Sequence, residues 1–162
     1  MKKIFLGSLI ILLMDILTKQ IVIKLMIPHQ SITIIPNFFQ ITYAKNTGVA
    51  FSILEGKQIF IIIMTLIVLG IIIKYIKELA TTKYDIISYA LVIGGALGNL
   101  LDRVIYGYVI DFLDFQIFNY NFPIFNVADI GIVVGIFLLL LKNLKESRND
   151  NETNSHRKNK NR

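Results

Sequence analysis

Gln58-Ile-Phe-Ile-Ile-Ile-Met-Thr-Leu-Ile-Val-Leu-Gly-Ile-Ile-Ile-Lys-Tyr-Ile76 decides the class of this fold. One charge, Lys74, interrupts a run that is otherwise almost pure Ile, Leu, Val and Met. A run of this length and polarity predicts a transmembrane helix facing lipid. The whole chain agrees: 54% of its 162 residues are hydrophobic, and its mean hydropathy is +0.62. A soluble domain is nearer 45–50% apolar.

Three further spans flank this one. The first runs from about Ile4 to Met26, the third from about Ile86 to Ile105, and the fourth from about Asn126 to Leu141. Lys2 and Lys3 make the first span resemble a signal peptide. No small-residue cleavage site follows, however, and Asp15, Lys19 and Lys24 lie inside it, so it reads as a retained helix. Gly94 with Gly98, and Gly131 with Gly135, have the small-xxx-small spacing that lets helices approach closely. Four spans are too few for a typical transporter built from inverted repeats.

Basic residues set the orientation. Lys2 and Lys3, then Lys74, Lys77 and Lys83, then the tail with Lys142, Lys145, Arg148, Arg157, Lys158, Lys160 and Arg162, all belong in the cytoplasm by the positive-inside rule. Both termini are then cytoplasmic. The segments from Ile27 to Lys57 and from Tyr106 to Phe125 face outward. Ser31–Ile35 and Phe38–Ala44 read as short strands around Pro36-Asn37. The second outer segment is crowded with Phe and Tyr, which suits the headgroup interface. Such a segment is either an aromatic belt or a platform for a lipid-bearing substrate.

The expected fold is therefore mainly α and integral to the membrane. Four transmembrane helices carry a small extracytoplasmic β-cradle between the first two, at about 28–57, and an outer aromatic loop at about 106–125. Residues 1–143 form this unit, and 144–162 form a basic, disordered cytoplasmic tail. Much of the net charge of +6 lies from Lys142 to Arg162, which favours anionic lipid headgroups over nucleic acid as the partner of the tail.

The chain has no cysteine and two distant histidines, His29 and His156. Thiolate chemistry, a Ser-His-Asp triad and a histidine-based zinc site are set aside on this count. No metal or cofactor is expected. The carboxylates carry the chemistry instead. Asp111 follows the third span and Asp129 starts the fourth, so both fall near the outer face. They are either solvated interface aspartates or a pair for acid/base catalysis. With Asn126 as N-cap, Asp129 takes the third helical position, facing the positive end of the helix dipole.

The other polar residues divide similarly. Asn99 and Arg103 lie one turn apart at the end of span three. Asp102 with Arg103 reads most simply as a structural charge pair. Asp15 and Lys19 pair at i, i+4 within span one. Asp114 is expected to face solvent or the loop. Asn46 and Gly48 mark either a turn or a loop that orients substrate.

Five blocks then fall in order on four spans: Asp15-Ile-Leu-Thr18-Lys19, Asn46-Thr-Gly48-Val-Ala50-Phe51-Ser52, Gly94-Gly95-Ala-Leu-Gly98-Asn99-Leu-Leu-Asp102-Arg103, Gly107-Tyr-Val-Ile-Asp111-Phe, and Phe125-Asn126-Val-Ala-Asp129. Together they resemble the lipoprotein signal peptidases, or signal peptidases II, the membrane aspartyl peptidases of bacteria. The resemblance implies a catalytic dyad of Asp111 and Asp129. It implies that Asn99, Arg103 and Asn126 line the site and bind substrate backbone, and that the block from Asn46 to Phe51, with Asn46 and Gly48 binding substrate, belongs to an outer β-cradle over it. It implies cleavage of prolipoproteins before a diacylglyceryl-cysteine, without metal and with inhibition by globomycin, in the bacterial cytoplasmic (inner) membrane. A monomer is the expected state. Val49 and Ile130 depart from the usual alanine and serine. The competing reading from another class is a small transport or proton-relay protein, which would need acids near the bilayer midplane.

Overall fold

The computed structural model describes residues 1–48, 54–118 and 120–160, with side chains described through Arg148. The elements are α1 (Lys2–Leu25), β1 (Ser31–Ile35), β2 (Phe39–Asn46), α2 (Gln58–Leu79), α3 (Lys83–Tyr106), β3 (Val109–Ile117), β4 (Tyr120–Asn121) and α4 (Val127–Lys160). Four helices are long and apolar enough to cross a membrane, α4 through its segment Val127–Arg148. Leu17, Ile21, Ile63, Ile67, Val104 and Val133 are exposed on them. A bundle in water would bury such side chains, whereas lipid accepts them.

α3 is the hub of the bundle and packs against α1, α4 and α2. Its glycines make this possible. A Cβ on Gly94 would stand 2.6 Å from the Ser8 carbonyl oxygen of α1, and one on Gly95 would overlap the Ala128 carbonyl of α4. Gly135 of α4 meets the Ser88 carbonyl of α3 in the same way, at 2.7 Å. Gly94, Gly131 and Gly135 thus serve as backbone contact points, while Gly98 makes room for the Asp15 side chain.

The start of α3 is fixed by a capping box between Thr82 and Asp85. Lys142 of α4 places its ammonium 2.9 Å from both Asp85 oxygens, tying the two helices together. At the other end Gly107 takes φ 79°, the left-handed cap that only glycine adopts freely. The chain turns there from the helix into β3.

The strands form one antiparallel sheet in the order β1-β2-β3-β4. Thr42 and Tyr43 stand opposite Phe112 in a bulge between the Ile41↔Leu113 and Ala44↔Asp111 pairs. Tyr43, Ile110 and Phe112 pack on Val22 and Met26, which seats the sheet on the end of α1. Phe39, Phe115 and Phe125 stack, with centroid separations of 4.5 and 5.8 Å.

The four spans and the β1–β2 hairpin match the sequence expectation, β1 to the residue. Two readings are corrected. The segment read as an aromatic loop contains β3 and β4, so the sheet draws strands from both segments expected to face outward. Val109–Ile117 is rich in β-branched and aromatic residues, and pairing with β2 satisfies its backbone. The backbone of α4 also continues through the segment read as a disordered tail, to Lys160. Lys142 and Glu146, an i, i+4 pair at 3.5 Å, lie where it leaves the apolar span.

Candidate active site

The site forms where β3, the end of α3 and the start of α4 meet. Asp111 projects from β3 and is 2% exposed. Its Oδ1 accepts from Asn126 Nδ2 at 2.6 Å, and its Oδ2 from Asn46 Nδ2 at 2.9 Å. Burial pushes its carboxyl up to about 7, and the charge of Asp129 pushes the same way. The amides of Asn46 and Asn126, and the charge of Lys19, pull against that.

Asp129 sits in the first turn of α4. Its Oδ1 accepts from Asn99 Nδ2 at 2.7 Å, and its Oδ2 from the Asn126 backbone N–H at 3.2 Å. The Asp129 N–H donates in return to Asn126 Oδ1 at 2.9 Å. This reciprocal pair is a capping box, as the spacing predicts. Asn126, fully buried, therefore bonds both carboxylates at once.

A charged layer lies directly beneath. Lys19 Nζ is 2.7 Å from Asp15, 2.9 Å from Asp102 and 3.1 Å from Asn99 Oδ1. These acceptors match its three N–H donors. Asp15 Oδ1 also accepts from the Ala128 N–H, and Asp102 Oδ2 from the Ile110 N–H. Two acids thus hold the first residues of α4 and β3, the neighbours of Asp129 and Asp111.

Arg103 closes one side. Its Nη2 donates to the Gly48 carbonyl at 2.7 Å and its Nη1 to the Asn99 carbonyl at 3.2 Å. Its Nε–H is buried without a hydrogen-bond partner among the described residues. Asn46 Oδ1 accepts from the Gly48 N–H at 2.9 Å, curling the chain at the end of β2. The Gln58 side-chain amide donates to the Thr47 carbonyl, fixing this turn to the start of α2.

Asp111, Asp129, Asn46, Gly48, Asn99, Arg103 and Asn126 therefore converge, with Asp15, Lys19 and Asp102 as the layer below. Two expectations fail. Asp102 does not pair with Arg103: neighbours on a helix point about 100° apart, and Asp102 turns to Lys19 while Arg103 turns to Gly48. Asp114 does not simply face solvent. Its Oδ2 accepts from Gln40 Nε2 at 2.9 Å and Thr42 Oγ1 at 2.7 Å.

Two contacts escaped the sequence. Lys19 to Asn99 had one signal: an ammonium has three donors and Asp15 alone cannot fill them. Gln58 to Thr47 had none. Ile130 is 43% exposed, so that departure adds nothing to the buried network. Val49, Ala50, Phe51 and Ser52 lie outside the described residues. Among the described residues, no three of His, Cys, Asp and Glu are grouped as metal ligands.

Comparison with known proteins agrees with this architecture. The family model described as signal peptidase (SPase) II matches residues 8–145. The lipoprotein signal peptidase of Staphylococcus carnosus (strain TM300) is 41% identical over 142 residues, covering 87% of this chain and 89% of that protein. That of Staphylococcus aureus (strain MRSA252) is 38% identical over 157 residues, covering 93% and 96%. A bacterial membrane enzyme solved by the in meso method at 2.3 Å resolution superposes with a TM-score of 0.86. It is 37% identical and covers 92% of both chains. A second such structure, at 1.9 Å, gives a TM-score of 0.81 at 37% identity over 90% of this chain and 94% of that one. With four membrane-spanning helices and this match, the chain belongs to the signal peptidase II family, multi-pass bacterial membrane peptidases that process prolipoproteins.

Proposed function

We propose that this chain is an aspartyl endopeptidase that cleaves prolipoproteins just before the diacylglyceryl-modified cysteine, with Asp111 and Asp129 as its catalytic pair. The observation that carries the reading is the Asn126 bridge, which bonds Asp111 through its side-chain amide and Asp129 through its backbone N–H and Oδ1. Asp111 is buried and Asp129 half-buried, and burial together with the Asp129 charge opposes ionisation of Asp111, which favours a proton on Asp111 at rest.

The reaction uses that proton. Asp129 takes a proton from water as the water oxygen attacks the scissile carbonyl carbon. Asp111 gives its proton to the carbonyl oxygen, producing a tetrahedral diol. The diol then collapses: the C–N bond breaks, Asp129 passes its proton to the departing amine, and the hydroxyl proton returns to Asp111. Asn46 and Asn126 hold Asp111 in place, and Asn99 holds Asp129. The Arg103 Nε–H, without a hydrogen-bond partner among the described residues, is a donor for a substrate carbonyl. Asp15, Lys19 and Asp102 brace these groups from below.

Both termini lie in the cytoplasm of this inner-membrane protein, with the pair at the outer face, where water reaches the peptide bond. The enzyme works as a monomer, and globomycin blocks it. The transport alternative loses support because the most deeply placed acid, Asp15, is bound to Lys19.

Purified protein tested on a diacylated prolipoprotein decides the matter. Cleavage is expected to survive chelator and to fall by at least about 10²-fold in Asp111→Asn and in Asp129→Asn, with both variants folded. Persistent cleavage in either folded variant would sink the dyad.

A further inference from the structure

Asp111 and Asp114 are separated by an odd number of positions on β3, so their side chains leave opposite faces of the sheet. Asp111 faces the site. Asp114 faces a polar surface built by Ser31, Thr42 and Gln40, which are linked by side-chain hydrogen bonds. A cavity of about 320 Å³ opens there, with Thr33, Asn37, Gln40, Asp114 and Gln116 in its lining.

The charge balance of this surface is unusual. From Gln30 to Ala44, and from Phe115 to Ala128, the sequence contains no Lys, Arg, Asp or Glu. Asp114 is therefore the one acid on this part of the sheet, and none of the ion pairs among the described residues includes it. Gln40 and Thr42 both donate to its Oδ2, which fixes the carboxylate and leaves Oδ1 outside that arrangement. A half-buried, oriented carboxylate with no counter-charge among the described residues, beside amide oxygens that also accept, is matched to a small cation bearing several N–H donors.

We propose that this cavity binds an alkylammonium group, held by Asp114 with the side-chain oxygens of Gln116 and Asn37. Two sources present that chemistry at the outer face. One is a lysine side chain in the segment following the substrate's lipidated cysteine, which rests on the peptidase reading above. The other is the ethanolamine headgroup of a neighbouring lipid, which does not.

The test compares the parent with Asp114→Asn, which keeps the shape and an acceptor for Gln40 or Thr42 while removing the charge. Both are reconstituted in phosphatidylglycerol vesicles with a prolipoprotein bearing lysine early in its mature segment, or glutamine there instead. A third arm adds phosphatidylethanolamine to the glutamine substrate. The parent is expected to show a KM about fivefold lower for the lysine substrate, or on adding phosphatidylethanolamine. Asp114→Asn is expected to lose that preference with kcat on the glutamine substrate unchanged. Native mass spectrometry with a lysine-bearing mature peptide, and with phosphatidylethanolamine, reads binding without catalysis. Failure of the peptidase reading would show as no cleavage by the parent, while this arm still reads the cavity. A parent without preference in any arm, a preference retained in Asp114→Asn, or an equal loss in every arm would overturn the proposal.

Discussion

Lys19 of α1 donates to Asn99 Oδ1 of α3 at 3.1 Å, and that contact decides which way the Asn99 amide points. An ammonium can only donate, so the amide oxygen must face it. The NH₂ group is left to face Asp129, 2.7 Å away. A lysine buried inside the bundle thus orients a donor aimed at a carboxylate of the site.

Replacing Lys19 by Met should be severe. Asp15 and Asp102 would remain buried without their cation. Breaking a buried pair from one side costs about 3–5 kcal/mol. A large fall in the thermal unfolding temperature in detergent is the expected outcome, and restoring a cation with Lys19→Arg should recover only part of it, because the larger guanidinium must fit a closed space.

Asn126→Ala should remove the bridge between the carboxylates and the cap of α4 together. Loss of the cap alone costs about 1 kcal/mol. Loss of cleavage should be far larger, about 10²-fold or more in kcat. Measuring unfolding beside kcat separates the two: a variant that loses stability but keeps its rate would show that Asn126 serves the helix only.

The pH dependence follows from Asp111. Its carboxyl, raised to about 7 by burial and by Asp129, must be protonated to act as the acid proposed for it. Activity should therefore decline as pH rises through about 7. Asn46 donates to the ionised form and so holds the value down; Asn46→Ala should shift the alkaline limb upward while lowering the maximum. The linkage has a definite sign. A carboxyl raised in the folded state favours folding while protonated, and that contribution is lost between its unfolded value near 4 and its folded value near 7. Rates across pH 5–9, with unfolding at the two ends, check both statements.

Gly95→Ala should weaken α3 against α4. The added methyl would overlap the Ala128 carbonyl, which is backbone and cannot swing aside. Overpacking of this kind costs about 1–3 kcal/mol, and the displaced Ala128 adjoins Asp129. Gly70→Ala, with open space around it, is the control and should leave stability and cleavage unchanged.

Much of this arrangement could be read from residues alone. The apolar runs located the helices, and alternation with turn residues located β1. The spacing of Asn126 and Asp129 announced a capping box. Asp15 and Lys19 were legible because i, i+4 partners share a helix face. What stayed hidden was tertiary. Asp102 had a tempting neighbour in Arg103, yet the helix turns them apart and gives Asp102 to Lys19 on another element. β3 was missed because Phe and Tyr suit both a membrane interface and a strand, and only the pairing of Phe39 with Phe115 and Ala44 with Asp111 decides between them. Asp114 went the same way: its donors, Gln40 and Thr42, reach it only once that register exists.

The pairing of β2 with β3 also sets the order in which the molecule can mature. Asn46 and Asp111 are 65 residues apart in sequence, and α2 and α3 lie between them. Contacts so distant form late, because the intervening chain must first be placed. A ribosome-bound chain that has delivered α1, β1 and β2 has no partner for Asn46. One that has delivered α3 still lacks Asn126. The proposed hydrolytic centre is therefore complete only once the start of α4 is in place, and a copy lacking it, or wrongly inserted, would be inert toward the peptides around it.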